Sequence, residues 1–468
     1  MVAKRKLPKI EKLEIIDISS DGKAVGKHEN RVIFVPKLVP GDVADVQLIK
    51  KKKRFFEGVV EKIHTFSEYR TEPFCEHFGS CGGCKWQNMA YESQLYFKEK
   101  QVKEQLTRLG DIDIPDVNPI KASEKTKFYR NKLEYSFSDK RWLEKSDIES
   151  EKVFNDTRAL GFHAPGRFDK VLQVDTCYLQ DEPTNALRNA IHRYALKNDL
   201  SYYNAKSHQG LLRNLIVRIS RQGEVMAVLI ASEDNPELRE LLAFIDDEFP
   251  EITSLMFVIN PKWNDSIFDL DVHTFSGRNY ILETLDGMQF KIGPKSFFQT
   301  NTWQTEVLYD KVREMAELKS EDVLYDLYSG TGSISLYLAR YAKKVVGVEI
   351  VPEAVMDARL NAEMNHISNA VFVAGDMKDV MKTGFVKTHG KPDIIVLDPP
   401  RAGVHKDVIA VIEQTAPDRI VYVSCNPGTQ ARDISLLKEN YRVKEVQPVD
   451  MFPHTHHVEN IVFLEKIR

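Results

Sequence analysis

Long hydrophobic runs and cysteines are both scarce in this chain of 468 residues. No apolar segment approaches the ~20 residues that a membrane-spanning helix needs, so we expect no contact with a membrane. The basic residues at positions 4–6 are not followed by an apolar core, which predicts a cytoplasmic protein without a secretory signal. Five cysteines in such a chain do not suggest a disulfide framework.

Positive charge is concentrated at one end of the chain. The net charge of the whole sequence is -4, which argues against a uniformly basic nucleic-acid binder. Residues 1–64, however, contain fifteen Lys or Arg against nine Asp or Glu, so the remainder is acidic. A basic module on an acidic body suits a localised docking site for a polyanion. A short basic segment that is merely solvated gives the same pattern, and charge alone does not decide between the two.

Residues 1–65 have the pattern of a small β-barrel. Apolar and polar residues alternate over four short runs that are broken by Asp21-Gly22, Pro36 and Pro40-Gly41. Barrels of this OB type commonly bind oligonucleotides. Lys51 and Arg54 lie in a basic run between two predicted strands, where they would reach RNA phosphates.

Four cysteines form the second notable pattern. Cys75, Cys81 and Cys84 are clustered, with the last two separated by Gly-Gly, and Cys177 is isolated. The CxxC spacing alone fits zinc or an iron–sulfur cluster. A zinc ribbon would offer a second CxxC pair, which is missing, so the single distant cysteine favours a [4Fe–4S] cluster. Four thiolate ligands leave no open iron, which favours a structural role, with unligated thiols as the alternative.

The middle section, residues 66–297, is predicted to be mixed and rich in strands. Residues 91–112 show the periodicity of an amphipathic helix, and Asp147–Lys152 is expected to be an exposed loop. Basic residues interleave with aromatic or strand-like stretches, which suits splayed single-stranded RNA. For each of these residues ordinary surface charge is an alternative; they are Arg130, Lys132, His163, Arg167 and Arg213.

From residue 298 to 468 strands and helices alternate, which predicts a doubly wound α/β domain. The first strand, from Val323, runs into a Gly-rich turn, residues 334–341 form the next helix, and the second strand ends at Glu349. Three further strands end at Asp376, Asp398 and Ser424, and a final pair covers 441–446 and 460–464, with the last strand antiparallel.

The Gly-rich turn contains Gly330 and Gly332 but lacks the third glycine of a dinucleotide-binding fingerprint. This favours S-adenosylmethionine, which has no pyrophosphate, over an NAD-type ligand. Glu349 is placed to accept the ribose hydroxyls, and Asp376 would approach the adenine amino group. Two prolines after Asp398 aim its side chain into the crevice. Arg401 stands where amino-methyltransferases usually have an aromatic residue, which argues against N-methylation.

Cys425 follows an apolar strand and precedes Asn426-Pro427, which end that strand. A thiol at the carboxyl end of a strand is a candidate nucleophile, although a buried structural cysteine is the alternative. Three histidines precede the final strand, but adjacent histidines on a strand point to opposite faces, which disfavours a metal site. Glu459, between apolar residues, is predicted to have a raised pKa and to act as a general base.

Together these motifs resemble the RNA (uracil-5-)-methyltransferase family. The resemblance is carried by residues 424–433, 398–401, 452–459 and 297–301 and by the four cysteines, and the N-terminal segment is similar to a TRAM domain. It implies that Cys425 is the nucleophile and Glu459 the base, with Asp398 near the reacting uracil. It also implies a cofactor site lined by Gln299, Tyr328, Gly330, Ser333, Glu349, Asp376 and Asp398. Ser329 and Ser333 depart from the residues frequent in the family.

Within that family, the combination of a barrel with cluster cysteines resembles the enzymes that modify 23S ribosomal RNA. We therefore expect S-adenosylmethionine and a [4Fe–4S] cluster as cofactors, a loop uridine of 23S RNA as the target, and a monomeric enzyme. The same reaction on tRNA is the first alternative. The second is a catalytically inactive RNA-binding assembly factor, against which the intact Cys425 and Glu459 argue.

Overall fold

The computed structural model describes residues 7–149, 156–380 and 383–467. Its N-terminal strands close into the predicted barrel, with five strands in the order β1-β2-β3-β5-β4 where the sequence indicated four. The strands are β1 (Lys9–Ile18), β2 (Ala24–His28), β3 (Arg31–Val35), β4 (Val43–Lys51) and β5 (Phe55–Thr65). Every second residue points inward, so that Ile15, Val35 and Val46 are buried. The closed barrel thereby presents its β4–β5 hairpin to solvent.

A helix connects the barrel to the rest of the chain. It comprises α1 (Tyr91–Glu104) and a π-helical turn (Gln105–Leu109), and ends at Gly110. The prediction of one helix over residues 91–112 is therefore right in position and slightly too long. The stretch Lys85-Trp86 binds the backbone carbonyl of His454 through both of its N–H groups, at 2.9 and 3.0 Å. The connecting segment is thus held against the C-terminal part of the chain.

The central section is a seven-stranded sheet in the order β12-β11-β10-β9-β6-β7-β8. Its elements are β6 (Lys132–Ser138), α2 (Lys145–Glu149), β7 (Ala159–His163), β8 (Val171–Gln173), α3 (Thr184–Lys197), β9 (Leu212–Ile219), β10 (Val225–Ala231), α4 (Pro236–Glu248), β11 (Ile252–Ile259) and β12 (Val272–Gly277). The predicted loop over 147–152 is wrong for its first three residues, which belong to α2; its other residues lie outside the described ranges. A hairpin follows, β13 (Ile281–Leu285) and β14 (Met288–Ile292).

The C-terminal section is the predicted doubly wound α/β fold, with a sheet in the order β17-β16-β15-β18-β19-β21-β20. Its elements are α5 (Thr302–Ala316), β15 (Val323–Leu327), α6 (Ser333–Ala339), β16 (Lys344–Glu349), α7 (Pro352–Met364), β17 (Ala370–Ala374), α8 (Met377–Val380), α9 (Thr383–His389), β18 (Ile394–Leu397), α10 (Lys406–Thr415), β19 (Arg419–Ser424), α11 (Pro427–Leu437), β20 (Tyr441–Val449) and β21 (Glu459–Lys466). β21 runs antiparallel to β19, as expected. The order reverses between β15 and β18, and ligands bind at such a crevice.

One hydrophobic core runs from the central sheet into the C-terminal domain. Met226 and Val228 of β10, Phe290 of β14 and Leu308 of α5 belong to the same buried cluster. The two sections therefore pack as one unit, and the boundaries after residues 65 and 297 stay predictions. Among the residues described, none of the helices combines the length and apolarity needed to cross a bilayer.

Candidate active site

Three neighbouring strands bring the predicted catalytic residues to one edge of the C-terminal sheet. Asp398 follows β18 and Cys425 follows β19, while Glu459 opens β21. Parallel β18 and β19 pair Leu397 with Tyr422, and antiparallel β21 pairs Asn460 with Ser424. The residue after Ser424 and the residue before Asn460 therefore emerge side by side. This register places the thiol and the two carboxyl groups around one crevice.

Cys425 is half-buried on the turn between β19 and α11. The turn is held by Asn426, whose side-chain oxygen accepts from Gly428 N at 3.1 Å and whose amide donates to Arg401 O at 3.1 Å. Burial, and to a smaller extent the nearby charge of Glu459, raise the pKa of the Cys425 thiol to about 11. The guanidinium of Arg401, which hydrogen-bonds to the sulfur, acts in the opposite direction and favours the thiolate.

Both carboxyl groups of the site bind protons more tightly than usual. Glu459 is 4% exposed, and this burial, with the charge of Asp398, raises its pKa well above the usual range. Burial also raises the pKa of Asp398 to about 7, and Gln299 Nε2 lies 3.5 Å from its Oδ2. The predicted rise for Glu459 therefore agrees with its environment. A protonated Glu459 removes one of the charges that oppose ionisation of Cys425.

Arg401 lies beside Cys425, a contact that sequence reasoning missed because Arg401 was considered only as an argument against N-methylation. Its guanidinium also contacts His457, at 3.1 Å from Nδ1. The expectation that adjacent histidines point to opposite faces is wrong, since the His456 and His457 rings lie 3.9 Å apart in a bend before β21 begins. Burial lowers their pKa values to about 4 and about 3, so both rings are neutral at pH 7.

The Gly-rich turn lies at the same edge, after β15. Tyr328, Gly330 and Gly332 all have positive φ, at 72°, 53° and 81°. A Cβ on Gly332 would come within 2.9 Å of Phe372, so the turn packs too closely for any larger residue. Glu349 Oε2, at the end of β16, accepts a hydrogen bond from Gly330 N at 3.0 Å. The turn and the acidic residue are thereby fixed relative to each other.

The other residues predicted to line the cofactor site vary in how they are placed. Gln299 is 9% exposed beside Asp398, and Asp376 follows β17 at the shared edge. The hydroxyl of Ser333, in contrast, is 2.7 Å from the Tyr309 hydroxyl, which leaves mainly its backbone N–H for a ligand. Asp326, which was not predicted as a site residue, is buried with a pKa raised to about 7 and accepts from Ser335 Oγ at 2.5 Å.

The segment before Glu459 is held in place by a buried polar network that the sequence did not reveal. Lys98 Nζ of α1 donates to Asp450 Oδ1 at 2.6 Å, and both side chains are fully buried. The Tyr91 hydroxyl donates to Asp450 Oδ2 at 2.8 Å. Gln94 accepts from His454 N at 2.8 Å. Helix α1 thereby anchors the segment that leads from β20 into Glu459.

The four cysteines predicted as metal ligands line one cavity of about 150 Å³. Burial raises the pKa of every one of these thiols, to about 12 for Cys81 and about 11 for Cys84; the other two are Cys75 and Cys177. Within the ranges that the structure describes, no group of three or more His, Cys, Asp or Glu side chains is arranged to hold a metal ion. The four cysteine side chains therefore surround the cavity and are not arranged around a single metal ion.

The residues predicted to contact RNA fall into two classes. Lys51 and Arg54 are exposed in the β4–β5 hairpin, as expected for phosphate contacts. Arg130 lines the cysteine cavity and lies 5.5 Å from the Phe452 ring centroid. Lys132 is half-buried and pairs with Glu134 at 3.8 Å. Arg130 and Lys132 therefore make contacts inside the protein as well as being candidates for contact with RNA.

Two regions of the chain match known families. Residues 275–467 match the family described as tRNA (Uracil-5-)-methyltransferase, and residues 8–60 match the TRAM domain. The first region contains the Gly-rich turn and all three predicted catalytic residues. The second corresponds to the β-barrel. Both matches confirm the resemblance that the sequence motifs indicate.

Similar proteins span almost the whole chain. Proteins described as uncharacterized RNA methyltransferases are 52% identical in Bacteroides thetaiotaomicron, covering 96% of this chain and 100% of that protein, and 47% identical in Porphyromonas gingivalis, covering 97% and 99%. The crystal structure of Pyrococcus abyssi tRNA (uracil-54, C5)-methyltransferase in complex with S-adenosyl-L-homocysteine is similar with a TM-score of 0.76 and 28% identity, over 97% of this chain and 100% of that one. This chain therefore belongs to the RNA methyltransferases, with a C-terminal domain of the uracil-5-methyltransferase family and an N-terminal TRAM domain.

Proposed function

We propose that this protein methylates C5 of a uridine in RNA with S-adenosylmethionine as methyl donor, through a transient bond between Cys425 and C6 of uracil. The observation that carries this proposal is the meeting of Cys425, Glu459 and Asp398 at one sheet edge beside the Gly-rich turn. A dead methyltransferase fold acting as a scaffold would not need this arrangement. The exposed basic hairpin of the barrel supports RNA as the substrate class.

The chemistry explains why a thiol is needed. C5 of uracil is too weak a nucleophile to attack a methyl sulfonium directly. Attack of the Cys425 thiolate on C6 forms the S–C6 bond and moves the ring electrons toward C5 and O4, giving an enolate. C5 then takes the methyl group from the donor. Arg401 stabilises the thiolate before attack, because its positive charge and hydrogen bond lower the pKa of the thiol.

Glu459 completes the cycle. After methylation C5 carries both a methyl group and a proton, and removal of that proton expels the cysteine and restores the C5=C6 double bond. The buried carboxyl group of Glu459 lies beside Cys425, which supports this role. Its raised pKa makes it a stronger base once it has ionised. Asp398 lies beside both groups, where it would hydrogen-bond to the uracil ring.

The residues around the Gly-rich turn fit a bound S-adenosylmethionine. Glu349 uses its two oxygens on the N–H groups of Gly330 and Val351, and the remaining lone pairs are available to ribose hydroxyls. Gly330 has no heavy atom within 4 Å of the place where a Cβ would be, so the backbone is open to a ligand there. Tyr328, Gln299 and Asp376 would line the rest of the site. S-adenosylmethionine, when bound there, would supply the methyl group.

For the substrate we propose a uridine of 23S ribosomal RNA, in a loop or single strand because the base must leave any stacked helix. The barrel and the four cysteines support this choice through their resemblance to the ribosomal enzymes. Transfer RNA is the second candidate. It is favoured by the structural similarity to an archaeal tRNA enzyme, which extends over the whole of that chain, barrel included.

Loss of 5-methyluridine from one RNA class tests both candidates. We expect that deletion of the gene removes 5-methyluridine at one or a few positions of 23S RNA and leaves tRNA unchanged, as measured by nuclease mapping and mass spectrometry of both purified RNAs. Complementation with the wild-type gene, but not with a Cys425→Ala allele, should restore the modification. Loss from tRNA alone would assign the second candidate, and no loss from either RNA would contradict the proposed activity.

We also propose that Cys75, Cys81, Cys84 and Cys177 hold a structural [4Fe–4S] cluster. Four sulfur atoms around a cavity of about 150 Å³ suit a cubane, whose ligands stand further apart than those of one ion. Bound there, the cluster would cross-link the segment after the barrel to the loop before α3. Arg130, which also lines this cavity, would offset part of the negative charge of the thiolates.

Metal analysis tests this cluster. After anaerobic purification we expect roughly four iron atoms per chain, with the broad absorption of an iron–sulfur protein near 400 nm. A Cys84→Ala variant should lose the iron, because one ligand is removed. The matched control is Cys425→Ala, which removes a cysteine outside the cavity and should keep the full iron content. Stoichiometric zinc, or equal iron in both variants, would contradict the cluster.

A further inference from the structure

A second cavity, of about 230 Å³, lies at the opposite end of β6 from the active site. We call it the β6–β9 cavity, because Ser136 and Ser138 of β6 and Asn214 of β9 line it. The two strands are antiparallel, with Ser136 opposite Asn214. None of the residues predicted to act in catalysis or cofactor binding lines this cavity, so the reaction proposed above leaves it unused.

Two exposed aromatic rings stand at the mouth of the cavity. Trp263 is 78% exposed and Phe168 is 68% exposed, and both line the β6–β9 cavity. The Trp263 ring is stacked on His208, with ring centroids 4.6 Å apart and an interplanar angle of 5°. One face of the indole is thereby supported. Large aromatic rings held in solvent beside a cavity are typical of surfaces that bind a planar partner.

The floor of the cavity offers an unpartnered hydrogen-bond acceptor. Asn214 is 5% exposed, and its side-chain amide donates to Ser136 Oγ at 3.3 Å. Its Oδ1 is buried and has no hydrogen-bond partner among the described residues. A buried acceptor without a partner is unfavourable, and a ligand that donates an N–H group to it would satisfy it. Because Asn214 lines the cavity, a ligand bound there is a candidate for this missing donor.

Arg213, singled out in the sequence as a residue that could pair with RNA phosphates, has a different role here. It is 1% exposed, and its guanidinium donates to the backbone oxygens of Asn260, Lys262 and Asn264. It also lies over the Tyr203 ring, 4.1 Å from the centroid. The expectation of an exposed phosphate contact is thus wrong at this position. Arg213 instead fixes the loop that carries Trp263.

We propose that the β6–β9 cavity binds one unstacked nucleobase of the RNA substrate, a few nucleotides from the methylated uridine. The base would stack against Trp263 or Phe168 and donate an N–H to Asn214 Oδ1, which suits the way proteins read single-stranded RNA. Every nucleobase has an N–H donor, so the single acceptor Asn214 Oδ1 would not select one base over the others. His163, which lines the cavity, and the exposed Arg167 beside Phe168 provide basic groups for the backbone.

The geometry of β6 connects this cavity to the active site. Asn131, immediately before β6, donates to Gln299 O at 2.8 Å and so marks the active-site end of the strand. The seven residues of β6 span about 20 Å. A single-stranded RNA segment of a few nucleotides covers this distance. The inference rests on the proposed function, because it takes RNA as the substrate, and it adds a second contact point on that RNA.

Substitution of Trp263 and Asn214 in the full-length enzyme tests the inference. With in vitro transcribed 23S RNA as the probe, we expect Trp263→Ala to raise the KM for RNA roughly 5- to 100-fold, the range for loss of one base–aromatic stack. The kcat and the KM for S-adenosylmethionine should change less than twofold. Trp263→Phe, which keeps a stacking face, should restore most of the affinity, and Asn214→Ala should raise the RNA KM as well. Tyr96→Ala is the matched control, because Tyr96 is also an exposed aromatic residue, at 58%, and lies on α1.

The dissociation constant for the same transcript, measured by filter binding, separates this inference from the proposed function. If wild-type enzyme makes no 5-methyluridine in 23S RNA or tRNA transcripts, the proposed function fails, and binding of the 23S transcript still decides the role of Trp263. If methylation is normal and both Trp263→Ala and Asn214→Ala keep RNA affinity within twofold of wild type, the inference is overturned. The exposed rings would then belong to a protein-docking surface. Melting curves of each variant identify any loss of folding.

Discussion

Replacing Cys425 with alanine should reduce methylation by on the order of 10⁴- to 10⁶-fold, the range for loss of an enzyme nucleophile. The reason is chemical, since without the S–C6 bond C5 of uracil lacks the electron density to attack the methyl donor. Binding of S-adenosylmethionine should persist, because the residues expected to hold it lie before α5 and after β15, β16, β17 and β18, and not on the β19–α11 turn. Radiolabelled methyl transfer and calorimetry measure the two quantities separately.

A Cys177→Ala variant is the matched control for Cys425→Ala. It also removes a cysteine, but one that lies in the cavity of four thiols and far along the chain from the Gly-rich turn. We expect it to keep the Cys425-dependent chemistry in the fraction of protein that folds. Methylation by Cys425→Ala at more than about one hundredth of the wild-type rate, with RNA and donor bound normally, would rule out covalent catalysis by this residue.

Glu459→Gln has the second large expected effect. Loss of a general base slows turnover by roughly 10²- to 10⁴-fold. Because the step that fails is removal of the C5 proton, the enzyme should accumulate as a methylated covalent adduct with RNA, visible as a slow-migrating band on a denaturing gel. The substitution also removes the negative charge that raises the pKa of Cys425. The half-maximal pH for the first methyl transfer, measured in a single turnover, should therefore fall relative to wild type.

Glu465→Gln provides the control for this prediction. Glu465 lies near the other end of β21, is partly exposed and pairs with Arg442, so its loss changes the same strand without touching the site. It should turn over normally and show no adduct band. If Glu459→Gln lost activity without any adduct, Glu459 would act before the S–C6 bond forms, and its assignment as the base that releases the product would be wrong.

The overall fold was predictable because each of its parts has a local signal. Alternation of apolar residues with Gly-Asp and Pro breaks predicted the barrel, and the strand–turn–helix pattern around Gly330 predicted the α/β domain. The active site followed from the same logic. Residues that end parallel strands share one sheet edge, so Asp398 and Cys425 had to lie near each other.

The features that sequence reasoning missed depend on contacts between distant parts of the chain. Lys98 and Asp450 are 352 residues apart, and nothing in either local sequence marks them as a buried ion pair. Arg401 follows a motif that placed it near the crevice, yet its hydrogen bond to Cys425 depends on how the loop after β18 packs on the β19–α11 turn. The same holds for Arg213, whose burial depends on the carbonyl groups of a loop about fifty residues later.

Several of these distant contacts belong to the polar network between α1 and the segment before Glu459. Tyr91, Gln94 and Lys98 all lie on one helix and contact Asp450 or His454, which precede Glu459 by only a few residues. A buried charge that loses its partner costs about 3–5 kcal/mol, so this network holds the segment firmly. The segment that leads to Glu459, the proposed general base, is thus held by α1, a helix far away in the sequence.

The most direct measurement uses RNA in which 5-fluorouridine replaces uridine. Fluorine cannot be removed as a proton is, so an enzyme that bonds to C6 and methylates C5 remains attached to this RNA. We predict that mass spectrometry of the digested complex finds a fluorinated, methylated nucleotide on the peptide containing Cys425, and that Cys425→Ala yields no complex. Absence of any covalent complex with wild-type enzyme, while the same preparation methylates ordinary RNA, would contradict the account.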